Sequence, residues 1–420
     1  MTYRVIQWGT GNVGTHALRS IIERPDLELV GLKVYSEEKV GLDAGEIVGT
    51  EPTGILATTV IEEILAIEAD CVNYNSLGTT EDMLGEPLDN ICTLLSRGYN
   101  VTSTAIDFTI YPPSAPAEMQ RRLSEACAEG GSTYFGSGVN PGYTMDLWPV
   151  SMSRLSRRID KIRIVETLDM RNLTSASTMA FMGFGQPPES PSLMDGMHTD
   201  PSNSVAYSSL LFTADALRFK LEDYRYEREV GIAESSFEIA AGRIDVGTIA
   251  VVKLKFVGAA YGRDVLVYEF VWRVSDEVHP EWGTGEYWTM DIEGDPSMHC
   301  VVEAATNFDS GRIVSLTVAM AALNAIPTVC EASPGVKSAL DLPVWGGGFV
   351  GRTALYPADK VGSHLMKCGG VDNLPTKSTC HRARERPTWG YLMGRLRWSP
   401  AGLVEWAGAT PSPSLERGLT

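Results

Sequence analysis

The chain has 420 residues, 44% of them hydrophobic and 21% charged, and its formal net charge is −18. This is an ordinary globular composition with room for two domains, and so acidic a chain is not expected to bind nucleic acid, which needs a basic face. It shows no uninterrupted apolar run of membrane-spanning length and no leader pattern, so we expect a cytoplasmic protein without a membrane partner. The seven cysteines lack C-x-x-C spacing, which indicates free thiols and no metal site.

The first stretch of the chain has the pattern of a dinucleotide-binding unit. An apolar strand at residues 3–8 runs into a G-x-G-x-x-G turn, composed of Gly9, Thr10, Gly11, Asn12, Val13 and Gly14. Gly9 permits the tight turn, Gly11 lets a pyrophosphate approach the backbone, and Gly14 lets the following helix pack on the strand. A helix at 12–24 and a second strand at 27–34 complete the context, so the motif predicts NAD(P) binding at these six residues.

The residues after the second strand bear on the choice of dinucleotide. Ser36 takes the place where an acidic residue binds the adenosine ribose in NAD-specific enzymes, and Lys39 follows three residues later. A hydroxyl and an ammonium here suit a 2′-phosphate, which favours NADP, while Glu37 leaves NAD as the alternative. A solvated turn is the structural alternative.

Strands and helices alternate up to about residue 142, which predicts a doubly wound parallel Rossmann sheet over residues 1–142. Ligands bind outside the carboxyl ends of such strands. Asn75 is therefore a candidate cofactor contact, or else a turn residue. Asp107 ends the fifth strand at the same crevice. Asn140 and Tyr143, after the sixth strand, are candidates for contacting the nicotinamide amide and the substrate, or for holding the interdomain turn.

The character of the sequence changes beyond residue 143. Several strands of alternating polarity, among them a hairpin at 248–274, predict a second α+β domain with a largely antiparallel sheet over residues 143–310. A Gly-, Pro- and Met-rich loop at 182–204 carries His198, which either reaches the substrate pocket or is simply exposed. The segment 311–348 opens with an apolar helix at 312–326 that we expect to return to the Rossmann domain.

Several stretches resemble one family. VIQWGTGNVGTHALRSI, ELVGLKVYSEEKVGLDAGEI, GSGVNPGYTMDLWP, MGFG and ALNAIPTVCEASPGVKSALDLP, within residues 1–346, resemble 2,4-diaminopentanoate dehydrogenases and native amine dehydrogenases, whose N-terminal domain is dihydrodipicolinate reductase-like. The resemblance implies NAD(P)-dependent oxidation of an amine to a carbonyl with release of ammonia, or the reverse reductive amination, in a homodimer. Genuine dihydrodipicolinate reductases carry an adjacent pair of histidines that this chain lacks.

The family resemblance also implies a catalytic carboxylate. Members carry a glutamate just after the fifth strand, in a stretch resembling NVVSTCEE, where this chain reads NVTSTAID. Ile106 occupies the glutamate position and Asp107 stands in place of the second acid, so Asp107 is the candidate proton-handling residue. A carbonyl reductase that does not use ammonia and a catalytically weak dinucleotide-binding protein are the alternatives.

The last part of the chain differs from the rest. Residues 352–420 hold 10 Lys+Arg against 5 Asp+Glu, leaving 25 against 48 for residues 1–351. This segment has no sustained period and matches no family pattern, so we predict a poorly ordered or appended tail. Its histidines and cysteines lack the paired spacing of a zinc site.

Overall fold

The computed structural model describes residues 2–76, 85–190, 193–304 and 313–350. The predicted tail at 352–420 lies outside the described residues. Fifteen strands are described: β1 (Tyr3–Trp8), β2 (Leu27–Lys33), β3 (Ala57–Thr58), β4 (Cys71–Tyr74), β5 (Asn100–Ser103), β6 (Thr133–Gly136), β7 (Arg158–Asp169), β8 (Asp223–Ile232), β9 (Phe237–Ile239), β10 (Gly242–Ile244), β11 (Ile249–Ala260), β12 (Arg263–Arg273), β13 (Tyr287–Asp295), β14 (Met298–Glu303) and β15 (Gly335–Lys337).

The described helices connect and cover these strands. They are α1 (Asn12–Glu23), α2 (Ala44–Val48), α3 (Ile61–Leu65), α4 (Gly85–Ser96), α5 (Ala117–Gly130), α6 (Trp148–Ser153), α7 (Ala176–Met182), α8 (Leu193–His198), α9 (Val205–Ala216), α10 (Ile313–Leu323) and α11 (Ile326–Glu331). A π-helical turn, Tyr143–Leu147, precedes α6.

The first sheet has seven parallel strands in the order β15-β6-β5-β4-β1-β2-β3. Its strands are nearly free of exposed residues because both faces are covered. The apolar sides of α4 and α5 pack on one face, and α1 with the C-terminal α10 and α11 packs on the other. The strand order reverses between β1 and β4, which places the ligand crevice of a doubly wound sheet at their carboxyl ends. The predicted Rossmann fold is confirmed.

The C-terminal helices are more apolar than is usual for a surface helix. The stretch Ile313–Glu331 has a mean hydropathy of 1.9 and the length of a membrane span, and 39% of it is buried inside the protein. Its buried members include Leu323 and Ile326, which pack with Val5 and Ile21 beneath the first sheet. The predicted helix at 312–326 ends earlier, at Leu323, and a second helix, α11, begins at Ile326. Pro327 does not end a helix but lies in the first turn of α11, where a missing N–H costs little.

The second sheet has six strands in the order β14-β13-β7-β12-β11-β8. Every pairing is antiparallel except β7 with β12, so the predicted, largely antiparallel α+β architecture is confirmed. One face carries the large core that packs against α7 and α9. The sequence analysis missed β8, although charged residues alternate with tyrosine and valine along Asp223–Ile232, which is the period of a half-buried strand.

Two shorter features were also missed or misjudged. The three-residue strand β15 adds a seventh strand beside β6, and its length gives no periodic signal. The segment 182–204 was interpreted as a loop, yet it contains the helix α8 among its described residues. Short elements of this kind are stabilised by their tertiary neighbours rather than by local propensity.

Candidate functional site

The glycine turn has the shape that a pyrophosphate requires. Gly9 has a φ of +93°, in the region that side-chain-bearing residues avoid. A Cβ on Gly14 would lie 2.2 Å from the Gly9 carbonyl oxygen, whereas a Cβ on Gly11 would meet no atom within 4 Å. Gly14 is thus needed for packing inside the protein, and Gly11 leaves open space above the start of α1. That cradle fits the diphosphate of a nicotinamide dinucleotide, held by the turn from Gly9 to Gly14.

The second predicted cofactor element stands beside this turn. The Lys39 ammonium donates hydrogen bonds to the Thr10 carbonyl oxygen at 2.9 Å and to its hydroxyl oxygen at 3.1 Å. Ser36 is exposed at the start of a short 3₁₀ turn, next to Glu37 and Glu38. The structure therefore brings Lys39 onto the glycine turn and leaves the Ser36 hydroxyl open to solvent.

Asn75 ends β4 within a buried network of amides. Its Oδ1 accepts from Gln7 Nε2 at 3.0 Å and from Asn73 Nδ2 at 2.7 Å, and its Nδ2 donates to Thr104 Oγ1 at 2.9 Å. Gln7 Nε2 also donates to the Gly9 carbonyl oxygen at 2.8 Å. Both ends of the Asn75 side chain are committed to this network, which ties the carboxyl ends of β1, β4 and β5 to the glycine turn.

Asp107 does not end the fifth strand as predicted, because β5 ends at Ser103; it begins a 3₁₀ turn after three intervening residues. Among the described residues its carboxylate has no hydrogen-bond or ion-pair partner. More than a third of the residue is open to solvent, yet enough protein surrounds the carboxylate that desolvation of its charged form raises its pKa to about 6.

Asn140 lies on the loop after β6, and its side chain reaches the second sheet. Its Nδ2 donates to Glu166 Oε2 at 2.9 Å. Trp288 Nε1 donates to the same oxygen at 2.8 Å, and Trp272 Nε1 donates to Glu166 Oε1 at 3.1 Å. Glu166 is only 3% exposed, and burial raises the pKa of its carboxyl. A buried carboxylate with three neutral donors thus joins the Rossmann loop to the second sheet.

The π-helical turn holds a second buried carboxylate. Asp146 Oδ2 accepts from the Gly142 backbone N–H at 2.6 Å and from Ser209 Oγ of α9 at 3.1 Å. Its other oxygen, Oδ1, is buried and has no hydrogen-bond partner in the part of the chain that the structure describes. Burial raises the pKa of Asp146 to about 6. Gly142, with a φ of +125°, cannot be replaced freely, because a Cβ there would lie 2.5 Å from the Gly138 backbone.

Tyr143 follows this glycine and is half exposed. With Leu147, Met320 and Leu342 it lines a cavity of about 470 Å³ between the π-helical turn, α10 and the C-terminal segment. A cavity of this size accommodates a small organic molecule. The predicted contact between Tyr143 and the substrate stays a prediction.

His198 lies in the core of the second domain and is not exposed. Its ring packs edge-on against Phe256 at 4.9 Å between centroids, and its Nδ1 is 3.1 Å from Ser204 Oγ. Burial lowers its pKa to about 4, so the imidazole is neutral at physiological pH. Of the two alternatives for His198, simple exposure was wrong, because α8 folds onto the sheet; contact with a substrate stays a prediction.

The sheet topology gathers most of the predicted residues and leaves one apart. The glycine turn, Asn75, Asp107 and Asn140 all follow carboxyl ends of adjacent parallel strands, β1, β4, β5 and β6. His198 belongs to the second sheet's core instead. Within the described ranges, no group of three or more His, Cys, Asp or Glu residues is placed to hold a metal ion.

Comparison with known proteins shows which proteins this chain is similar to. Residues 143–351 match the family described as the 2,4-diaminopentanoate dehydrogenase C-terminal domain. An amine dehydrogenase of Streptomyces virginiae is 29% identical over 350 residues, which cover 81% of this chain and 96% of that protein. The chain is related to the 2,4-diaminopentanoate dehydrogenases and amine dehydrogenases. The resemblance inferred from the sequence motifs is confirmed.

Two further comparisons, with a protein sequence and with a solved structure, cover both domains of this chain. A 2,4-diaminopentanoate dehydrogenase of Acetoanaerobium sticklandii is 23% identical over 351 residues, covering 81% of this chain and 93% of its own length. The structure of an amine dehydrogenase from Mycobacterium smegmatis superposes with a TM-score of 0.67 at 17% identity, covering 82% of this chain and 97% of that one. This last likeness establishes the shared two-domain dehydrogenase fold.

The sequence analysis overlooked two acidic residues of this dehydrogenase-like site. Glu166 stands in phase with Ile162 and Ile164, on the buried side of β7, and a carboxylate in a buried phase is a detectable signal. Asp146 gave no such signal, because its π-helical turn has no recognisable sequence pattern. Their partners lie on other elements, which the sequence alone does not identify.

Proposed function

We propose that the chain is an NAD(P)-dependent oxidoreductase that interconverts a small amine and the corresponding carbonyl compound, in the manner of an amine dehydrogenase. The observation that carries the proposal is the Asp107 carboxylate, which has no hydrogen-bond or ion-pair partner among the described residues and lies at the crevice where the dinucleotide turn also opens. The two relatives that align with 81% of this chain are an amine dehydrogenase and a 2,4-diaminopentanoate dehydrogenase, which supports the amine chemistry.

The geometry suggests how the residues divide the work. A bound nicotinamide supplies or accepts the hydride. Gly9 to Gly14 hold the diphosphate, and the buried amide network of Gln7, Asn73 and Asn75 keeps that turn in position. The ionised Asp107 carboxylate stabilises a protonated imine nitrogen in one direction and accepts a proton from the amine in the other.

A carboxylate with a raised pKa suits this task. With a pKa of about 6, Asp107 is ionised at neutral pH but basic enough to take a proton from a reacting nitrogen. Because the ionised form is required in both directions, activity is expected to fall as the pH drops through about 6. Asp107 is shorter than the glutamate of the family by one methylene, which favours a substrate whose nitrogen approaches β5 closely.

We also propose NADP as the preferred dinucleotide. The open Ser36 hydroxyl and the Lys39 ammonium lie on the side of the turn where the adenosine ribose is bound in such folds. Lys33, the other nearby cation, is buried and donates to the Val34 carbonyl oxygen at 2.8 Å, so it does not serve a 2′-phosphate. Lys39 is therefore the ammonium available to the extra phosphate of NADP.

The deciding experiment follows oxidation of NADPH and NADH with a panel of ketones and aldehydes, with and without ammonium. It compares the wild type, Asp107→Asn and Asp223→Asn, which removes an exposed carboxylate on the edge strand β8. Ammonium-dependent oxidation that falls by roughly 10²- to 10⁴-fold in Asp107→Asn alone would support the proposal. Turnover independent of ammonium would indicate a carbonyl reductase, and binding without turnover would indicate a cofactor-binding protein.

Three narrower expectations accompany this function. Ammonia as the released or consumed nitrogen species is tested by the ammonium dependence above. A homodimer is tested by mass photometry of the purified protein, where a mass near 45.6 kDa would refute it. A cytoplasmic location is tested by fractionating cells that express the full chain.

A further inference from the structure

Asn140 and Glu166 form a hydrogen bond between the two domains, and the tryptophans around Glu166 determine which of the two residues donates. The indole nitrogens of Trp272 and Trp288 can only donate hydrogen bonds, and each donates to one oxygen of Glu166. The oxygen that serves Trp288 also lies 2.9 Å from Asn140 Nδ2. An ionised carboxylate accepts only, so it must face the NH₂ end of the Asn140 amide.

Because its NH₂ group faces Glu166, the Asn140 side chain has its oxygen, Oδ1, available for another hydrogen bond. Its Oδ1 accepts no hydrogen bond from any described residue, and it is not sealed from solvent, since the residue is partly exposed. The residue lies on the loop after β6, on the β4-β5-β6 side of the sheet, where the nicotinamide half of a dinucleotide extends from the glycine turn. An isolated asparagine presents either end of its amide, but here one end is already committed.

We propose that Glu166 is a positioning residue that holds the Asn140 amide with Oδ1 toward the crevice, as an acceptor for an N–H group. The inference rests on the proposed function and specifies the same site. Two donors have the required chemistry, namely the carboxamide NH₂ of the nicotinamide and the protonated nitrogen of the substrate. A crevice that offers an acceptor at this point selects a nitrogen-bearing partner over a neutral carbonyl oxygen.

The variant Glu166→Gln tests the idea with little change in shape. With its single acceptor oxygen at the Oε2 position, a glutamine accepts from Trp288 and Asn140 and turns its own NH₂ toward Trp272. With the oxygen at the Oε1 position it accepts from Trp272 alone, and its NH₂ then pairs with Asn140 only if that amide is turned over, with NH₂ toward the crevice. We therefore expect a roughly 3- to 10-fold rise in the dissociation constant of the dinucleotide or in the KM for the amine, the scale of one neutral hydrogen bond. Asn140→Ala should show at least the same rise.

A double-mutant cycle separates positioning from a general structural role. If Glu166 acts through Asn140, Glu166→Gln changes neither constant further when Asn140 is alanine. Equal effects in both backgrounds, or no change in either constant in a folded Glu166→Gln protein, would overturn the inference. Should Glu166→Gln fail to fold, Asn140→Leu with Glu166 intact gives the answer, since unchanged constants there would also overturn it.

The probe distinguishes the two donors. Dinucleotide binding is measured by fluorescence titration with NAD(P)H and with the 3-acetylpyridine analogue, in which a methyl ketone replaces the carboxamide. A penalty from Glu166→Gln that is present for NAD(P)H and absent for the analogue assigns the donor to the nicotinamide, whereas a penalty confined to the KM for the amine assigns it to the substrate. Failure of the wild type to bind either dinucleotide would overturn this inference and the proposed function together; normal binding without coupling would overturn this inference alone.

Discussion

Substitution of alanine for Gly14 and for Gly11 should have different effects on the thermal stability of the protein. In Gly14→Ala the new Cβ would lie 2.2 Å from the carbonyl oxygen and 2.7 Å from the carbonyl carbon of Gly9. Both atoms belong to the backbone, so the turn itself must move by about 1 Å to restore an ordinary contact. In Gly11→Ala the Cβ meets nothing within 4 Å, and the backbone already has a φ of −76°.

The two variants are expected to differ in thermal stability but not in dinucleotide binding. Overpacking of this kind costs about 1–3 kcal/mol, while the helix propensity of alanine returns about 1 kcal/mol at a helical position such as Gly14. We expect the Tm of Gly14→Ala to fall by roughly 5 °C, and that of Gly11→Ala to stay the same or rise slightly. The dissociation constant for the dinucleotide should rise roughly 10- to 100-fold in both.

Differential scanning fluorimetry and fluorescence titration of NAD(P)H provide the two measurements. Gly31→Ala on β2 is a useful comparison, since its Cβ would meet the flexible end of the Ile67 side chain rather than backbone. A Tm of Gly14→Ala at or above that of the wild type would refute the packing argument. Unchanged dinucleotide binding by Gly11→Ala would refute the assignment of the open cradle to the diphosphate.

Three other changes test charged groups around the site. Lys39→Ala should raise the dissociation constant for NADPH about tenfold and leave that for NADH nearly unchanged; equal effects would refute the NADP preference. Burial lowers the pKa of His198 from 6.5 to about 4, so its contribution to stability is lost as the pH falls through that range, and His198→Phe should reduce the acid-induced drop in Tm. Burial raises the pKa of Asp146 from 3.8 to about 6, so stability falls as the pH rises between those values. Asp146→Asn should flatten that slope, and a slope equal to that of the wild type would show that the group titrates normally.

The features that could be predicted from the sequence are those that depend on neighbouring residues in the chain. The turn from Gly9 to Gly14 needs particular residues at fixed spacing, and the hairpin strands β11 and β12 are long apolar segments on either side of a turn that contains Gly262. The partners of Asn75 were not predictable in this way. Gln7 lies on β1 and Thr104 directly follows β5, so whether Asn75 serves the cofactor or the protein is decided by how these strands pair.

The link between Asn140 and Glu166 shows the same limit across domains. Each residue gave a local signal, one as a loop asparagine and the other as an acid in the buried phase of β7. Their contact depends on the way the loop after β6 meets the second sheet, which no local period encodes. His198 was misjudged for a related reason, since its burial against Phe256 comes from the docking of a six-residue helix with little propensity of its own.

Helix α9 explains how both crevice loops hold their positions. Apolar residues on several sides of the helix are buried, yet its hydroxyls reach the Rossmann loops: Ser208 contacts Ser114 in the loop after β5, and Ser209 donates to Asp146 after β6. Thr213 donates to the Met145 carbonyl oxygen at 3.2 Å and contacts the hydroxyl of Tyr268 on β12 at 2.7 Å. Because side chains of α9 contact both loops, a shift of α9 would move the loop that follows Asp107 and the loop that follows Asn140 together. The relative placement of the Asp107 carboxylate and the Asn140 amide thus depends on the second domain, even though both residues follow strands of the first.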